Sequence, residues 1–364
     1  MSRIVIGISG GVDSAVAALL LKQQGHEVLG VFMDNWDGAD AYCTAAEDFQ
    51  DARALCEALE VPLHKVSFAD QYLERVFAGF LAELRAGRTP NPDVACNSEI
   101  KFRCFLDHAL RLDAELLATG HYARVERTAS GARLLRAADL DKDQTYFLHA
   151  IAPAALARAE FPLGRLTKPE VRALAQRHGL AVHDKPDSTG ICFIGERRFR
   201  EFLKRWLPTE PGPILALDGA PLGDHEGLAY YTLGQRAGLG IGGQRGGAEL
   251  PWYVAGKDPG RNALLVVQGH DHPALLTSSV TVVDPRWSRA TPEVGEPLTA
   301  QLRHRQAEQP CRIVAQDAAR LTVRFDAPQR AATPGQYCVL YRGAECLGGG
   351  ALVAPEAAAQ AAVG

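Results

Sequence analysis

Two kinds of residue in this chain could do chemistry: a glycine turn able to cradle an anion, and two cysteines in polar, turn-rich surroundings. Ser9-Gly10-Gly11-Val12-Asp13-Ser14 follows the apolar run Ile4–Ile8. Behind it Val16, Ala17, Leu20 and Leu21 recur at helical spacing, with Gly25 as the stop. Adjacent glycines let the backbone approach an anion closely, and the helix N-terminus adds N–H groups and a positive dipole end. Ser9 and Ser14 supply hydroxyls. No lysine follows as in a Walker A loop, and the glycines are not spaced G-x-G-x-x-G, which weighs against kinase, GTPase and dinucleotide chemistry. A turn that merely packs strand on helix would have the same composition.

The chain has eight cysteines and no C-x-x-C pair, so neither a zinc ribbon nor a thioredoxin-type dithiol is expected. Cys96 closes the turn-forming stretch Asn91-Pro92-Asp93-Val94-Ala95, with a carboxylate three residues ahead of it. Cys192 lies in Ser188-Thr189-Gly190-Ile191, just ahead of Arg197, Arg198, Arg200, Lys204 and Arg205. A thiol near a helix N-terminus and arginines has a lowered pKa and is a better nucleophile. The alternative is a small buried hydrophobe, the usual fate of a cysteine. Cys43, Cys56, Cys104, Cys311, Cys338 and Cys346 carry only that expectation. Residues 196–206 read as a helix whose basic face is either solvated or set against phosphates.

These groups need a scaffold. Apolar strands at Ile4–Ile8, Glu27–Met33, Leu63–Phe68 and Leu116–Gly120 alternate with helical stretches at 14–24 and 45–59. That alternation predicts an α/β fold with a doubly wound parallel sheet. After Pro208, Pro211 and Pro213 the chain turns to glycines and short β runs, such as Trp252–Val254, Val280–Val283 and Tyr337–Leu340. The expected organisation is a catalytic domain over 1–207, a smaller central β-rich domain over 208–278, and a C-terminal β-barrel-like domain over 279–364. With 364 residues and 47% hydrophobic content the chain can bury a large core. A net charge of -4 excludes a uniformly basic nucleic-acid binder but not a local basic face. The N-terminal apolar run is too short for a signal sequence, and no run of about 18 apolar residues occurs; a cytosolic protein without a membrane partner is expected.

The loop resembles that of the ATP pyrophosphatases, and the rest of the chain narrows this. Met33-Asp34-Asn35-Trp36, Gly87 to Asp93, Ala118 to Ala123, Lys142 to Phe147, Asp187 to Gly195, Thr232 to Arg236, Arg303 to Gln306 and Pro334 to Gln336 resemble, in order, segments of the tRNA 2-thiouridylase family. Asp34, Thr145 and His304 stand where family members often have Lys, Ser and Tyr. The resemblance implies that ATP, bound by Gly7, Ile8, Ser9, Gly10, Gly11, Val12, Asp13 and Ser14 with Met33 and Gly120 at the adenine, activates the 2-oxo group of a wobble uridine. Mg²⁺ is expected with the phosphates, possession of a separate metal site is not. It implies a persulfide on Cys192, received from a sulfur-donor protein, and Cys96 either resolving it through a transient disulfide or assisting hydrosulfide release. Asp93 is implied as general acid/base. Asn91, Pro92 and Asp93 are implied at the base, and His121, Lys142, Asp143, Gln144, Arg303, His304 and Gln336 as tRNA contacts. The family's substrates are the tRNAs for Lys, Glu and Gln. An amide-forming ligase or tRNA lysidine synthase shares the loop but needs neither cysteine.

Overall fold

The computed structural model describes residues 1–36, 45–186, 190–191, 194–195, 199–241 and 250–354. Cys43, Cys192, Arg197 and Arg198 lie outside these residues.

The first strand, β1 (Arg3–Gly7), leads through the glycine loop into α1 (Val12–Gln23), then β2 (Glu27–Asp34), α2 (Ala45–Ala58) and β3 (Leu63–Ser67). Helical pieces follow at α3 (Ala69–Tyr72), Leu73–Phe77 and α4 (Ala78–Arg85). After a short connection come α5 (Pro92–Ala95), a π-helical stretch Cys96–Phe105 and α6 (Leu106–Arg111). Next are β4 (Leu116–Ala118), the hairpin β5 (Ala123–Thr128) and β6 (Gly131–Arg136), α7 (Thr145–Leu148), α8 (Pro153–Leu156), β7 (Ala159–Glu160) and α9 (Lys168–Arg177). β1, β2, β3, β4 and β7 form a parallel sheet in the order β3-β2-β1-β4-β7. Its inner strands β1 and β2 are apolar on both faces because both faces are covered. Ile4 and Ile6 of β1 pack with α1 and α9 residues such as Val16 and Val171. Val5 points the other way, into a core with Phe77, Ile100 and Phe105. This is the doubly wound sheet the alternation predicts.

The strand pair β8 (Gly190–Ile191) and β9 (Ile194–Gly195) precedes α10 (Phe199–Leu203), which ends three residues before the Trp206 end of the expected helix. The central unit is a mixed sheet of β10 (Gly212–Ala216), β11 (Pro221–His225), β12 (Trp252–Asp258) and β13 (Ala263–Gln268), ordered β11-β10-β13-β12. Ile214, Val254, Leu264 and Val266 fill its core.

The last strands are β14 (Leu276–Trp287), β15 (Leu298–Gln301), β16 (Gln309–Gln316), β17 (Arg320–Arg330), β18 (Tyr337–Arg342) and β19 (Glu345–Val353). They run β14-β17-β16-β15-β18-β19, and pairing of β14 with β19 closes them into a six-stranded antiparallel barrel. Val282, Ile313, Val323 and Leu340 line its interior. The hairpin β5–β6 continues the same sheet, with Leu135 opposite Glu345 and Leu134 opposite Cys346. A piece of the first domain is thus hydrogen-bonded to the barrel. Tyr341 and Cys346 belong to the same apolar core as Ile100 and Tyr146.

Candidate active site

The loop turns between β1 and α1 at Gly10, whose φ of +73° favours glycine. A Cβ there would also strike the backbone carbonyl of Asp48. Ser14 Oγ accepts from Ser9 N–H at 3.1 Å and donates to Gly11 O at 3.1 Å, so the turn is braced from inside. No side chain caps α1, whose Ncap is Gly11. The first N–H groups of a helix have no intrahelical acceptor, and a helix end without a side-chain cap is suited to an anion.

Asp13 sits in the first turn of α1. Its carboxylate accepts from Lys168 Nζ at 2.8 Å on both oxygens and from Tyr122 Oη at 2.9 Å. Lys168 is 7% exposed and is the first residue of α9. The Thr167/Glu170 capping box fixes that helix start and hence the lysine. Lys185 reaches the other side of the loop, donating to Gly10 O at 3.2 Å and to Asp48 and Asp51 at 2.8 and 2.5 Å. Two lysines beside an anion loop are chemically apt, and the sequence reading had neither. The capping pattern Thr167-x-x-Glu170 was the available signal for Lys168.

Gly120, after β4, packs on the loop: a Cβ there would lie 2.8 Å from Ser14 N and 2.9 Å from Asp13 C. Met33 flanks the same region from β2, 3.6 Å from the position a Cβ on Gly7 would take. Asp34, a departure from the family pattern, is ion-paired with Lys65 of the neighbouring strand at 2.8 Å.

The second chemical element starts at Asn91. Its side chain accepts from Asp93 N–H at 3.1 Å, and Pro92 occupies the first turn of α5. Asn-Pro-Asp is therefore a helix start in its own right, Asn at the Ncap and Pro where its missing N–H costs nothing. Cys96 follows, 1% exposed. Asn97 donates to Phe147 O at 3.2 Å, and its Oδ1 is buried with no hydrogen-bond partner. The ring of His304, from the barrel, lies 4.4 Å from that of Phe147. Farther along the same helix, Lys101 Nζ is 3.4 Å from His121 Nε2, and Phe102 packs on the His121 ring. The helix bearing Cys96 thus reaches the loop through His121 and Gly120.

Several expected RNA contacts sit in structural roles. His121 is 9% exposed, with Nδ1 2.7 Å from Thr119 Oγ1; burial, then Lys101, hold its pKa well below the usual imidazole value. Asp143 is 5% exposed and accepts from Arg136, Thr145 and the Ala137 N–H at 3.3, 2.6 and 2.9 Å. Burial raises its pKa, and those hydrogen bonds oppose the rise. Gln144 exchanges hydrogen bonds with the Tyr122 backbone, accepting from its N–H and donating its own N–H to its O, each at 2.9 Å. Gln336 Nε2 donates to Thr89 O at 2.8 Å. Lys142 is half-buried and Arg303 exposed. Burial, then Arg305, lowers the His304 pKa to about 4. In the basic segment Arg200 and Lys204 lie 3.5 and 3.3 Å from Glu226 of the central unit.

Among the described residues no group of three or more His, Cys, Asp or Glu gathers at metal-binding distance. Nor is any helix there long and apolar enough to cross a membrane.

Family models cover most of the chain. One described as tRNA methyl transferase HUP domain matches residues 2–196, a tRNA methyl transferase PRC-barrel domain 200–268, and an aminomethyltransferase beta-barrel domain 277–352. Curated relatives include the tRNA-specific 2-thiouridylase MnmA of Nitrosomonas eutropha, 56% identical over 96% of this chain and 98% of that protein. Those of Thiobacillus denitrificans (55%, over 96% and 99%) and Cupriavidus metallidurans (54%, over 96% and 98%) bear the same name. With identity of this level along nearly its whole length, and family models matched over most of it, the chain belongs to the tRNA-specific 2-thiouridylase family.

Proposed function

We infer that this protein is an ATP-dependent tRNA 2-thiouridylase acting on the wobble uridine. The observation that carries the reading is the link between the phosphate loop and the helical stretch that runs on from Cys96, made by Gly120 against the loop and by neighbouring His121 beside Lys101, within a chain more than half identical to relatives of that name.

The loop N–H groups, Ser9 and Ser14 bind the ATP phosphates, with Met33 and Gly120 at the adenine. Lys168 and Lys185 supply positive charge as pyrophosphate leaves. A Mg²⁺ ion on ATP would neutralise phosphate charge and needs only one or two protein carboxylates; Asp13 would serve only once released from Lys168, which holds both of its oxygens. The uridine O2 attacks the α-phosphorus, pyrophosphate departs, and C2 becomes electrophilic. The terminal sulfur of a Cys192 persulfide attacks C2 and AMP leaves. Cys96 then attacks the inner sulfur: sulfur stays on C2, and a Cys96–Cys192 disulfide forms that a reductant clears. Asp93 moves protons at the base.

The substrate base must be unpaired, because sequence-specific RNA recognition targets splayed bases. Asn91, Pro92 and Asp93 meet it, and Lys142 and Arg303 face the tRNA. Wobble uridines of Lys, Glu and Gln tRNAs, a persulfide donor protein and a cytoplasmic location complete the proposal. The division into three domains is part of the proposal, with β14 (Leu276–Trp287) putting the start of the last domain a few residues ahead of 279 and the β5–β6 hairpin bridging first and last domains.

The reading is checked by product analysis. Each tRNA thiolated should be accompanied by one AMP and one pyrophosphate. Release of ADP and phosphate instead, or AMP formed with an amine acceptor and no thiolated RNA, would overturn it.

A further inference from the structure

The segment Gly87–Asn91 links α4 to the helix bearing Asp93 and Cys96, and it is gripped from outside its own domain. Lys257 Nζ, from the central sheet, donates to Gly87 O at 2.9 Å. Thr89 N–H donates to Pro334 O at 2.9 Å, and Gln336 Nε2 donates to Thr89 O at 2.8 Å, so the barrel holds Thr89 by both backbone groups. Gly335 (φ +92°) lies against the same residue: a Cβ there would come within 2.9 Å of Thr89 N and C. Thr232 of the central unit approaches Thr89 Oγ1 at 3.4 Å. On the inner side, Arg88 forms a two-pronged pair with Glu83 at 2.6 and 2.5 Å. Both later domains thus meet on the first three residues of the strap, Gly87 to Thr89, which end two residues ahead of the Asn91 cap.

We propose that Lys257 is a positioning residue: it fixes the Gly87–Asn91 strap, and through it Asp93 and Cys96, in the arrangement that sulfur transfer needs. Lys257 is on β12 in a chain segment the sequence reading linked to no chemistry, and burial lowers its pKa to about 8, as for an ammonium drawn out of water. Its carbonyl partner carries no charge, so the lysine is spent on backbone geometry. Gln336, expected as an RNA contact, has its amide committed to Thr89. Thr232 and Gln336 also line a cavity of about 260 Å³ shared with Arg303 and Arg330. Misplacing a reacting group by about 1 Å costs on the order of 100-fold in rate.

The inference rests on the thiouridylase reading, so wild-type enzyme must first thiolate tRNA; if it does not, that reading fails before this one is reached. Lys257→Met, Lys257→Gln and Lys257→Arg are then compared at saturating ATP and tRNA, with tRNA Kd by filter binding and Tm alongside. The expected result is kcat lowered about 10-fold or more in Lys257→Met and Lys257→Gln, tRNA Kd within about two-fold, and recovery in Lys257→Arg. Should Lys257→Met fail to fold, Lys257→Gln carries the same comparison. Unchanged kcat, or a weakened Kd with kcat intact, overturns the proposal; the latter would make Lys257 an RNA contact.

Discussion

Cys96→Ser is expected to lose tRNA thiolation by at least about 10³-fold, the scale on which removal of a nucleophile acts, while still releasing pyrophosphate from ATP in a single turnover. Cys96 is buried at the start of the π-helical stretch, and the loop that handles ATP is built from β1, α1 and α9. Serine has the same shape with a shorter bond, so the helix start set by Asn91 and Pro92 survives. Adenylation and sulfur release are then separable. Pyrophosphate release measured against thiolated product checks this. Loss of both together would mean that Cys96 serves the loop structurally; retention of both would remove it from the chemistry.

Gly120→Ala is expected to raise the KM for ATP about 100-fold, on the scale of a 1 Å misplacement, with a stability cost of about 1–3 kcal/mol for overpacking. The new methyl would meet Ser14 N at 2.8 Å and Asp13 C at 2.9 Å. Both are backbone atoms and cannot rotate aside, so the first turn of α1 must move and take the anion-binding N–H groups with it. The resemblance places Gly120 at the adenine; the packing gives it a further reason to be glycine. Initial rates of pyrophosphate release across ATP concentrations, with a melting curve, are the check. An unchanged KM would show that the loop does not need this contact.

The parallel sheet was legible because β1, β2, β3 and β4 are short apolar runs separated by helical spacing, a local signal. The helical pieces from 69 to 111 were not assigned, though Asn91-Pro92-Asp93 is a helix-start pattern. The union of the β5–β6 hairpin with β19 was illegible for another reason. Leu135 and Glu345 meet across more than half the chain, and nothing local encodes that partner. The buried role of Asp143 follows from the same union, since its ligand Arg136 ends β6 and stacks on Tyr341 of the barrel at 3.8 Å. In the site, the glycine turn and the helix behind it were readable from residue type and spacing, whereas the roles of Cys96 and Cys192 are implied only by the family resemblance. Lys168 and Lys185 were not, because each comes to the loop from a distant segment. Lys257 was unreadable too: its role is a hydrogen bond to a carbonyl, for which no side-chain partner appears in the sequence.

The central claim is that Cys192 delivers sulfur to an ATP-activated uridine. Its most direct test incubates unmodified tRNA with the enzyme, Mg-ATP and a persulfide source, then resolves the RNA on a mercury-retarding gel beside a Cys192→Ser reaction. The account predicts retarded tRNA only with ATP and only with wild-type enzyme. Full retardation by Cys192→Ser, or retardation without ATP, would contradict it.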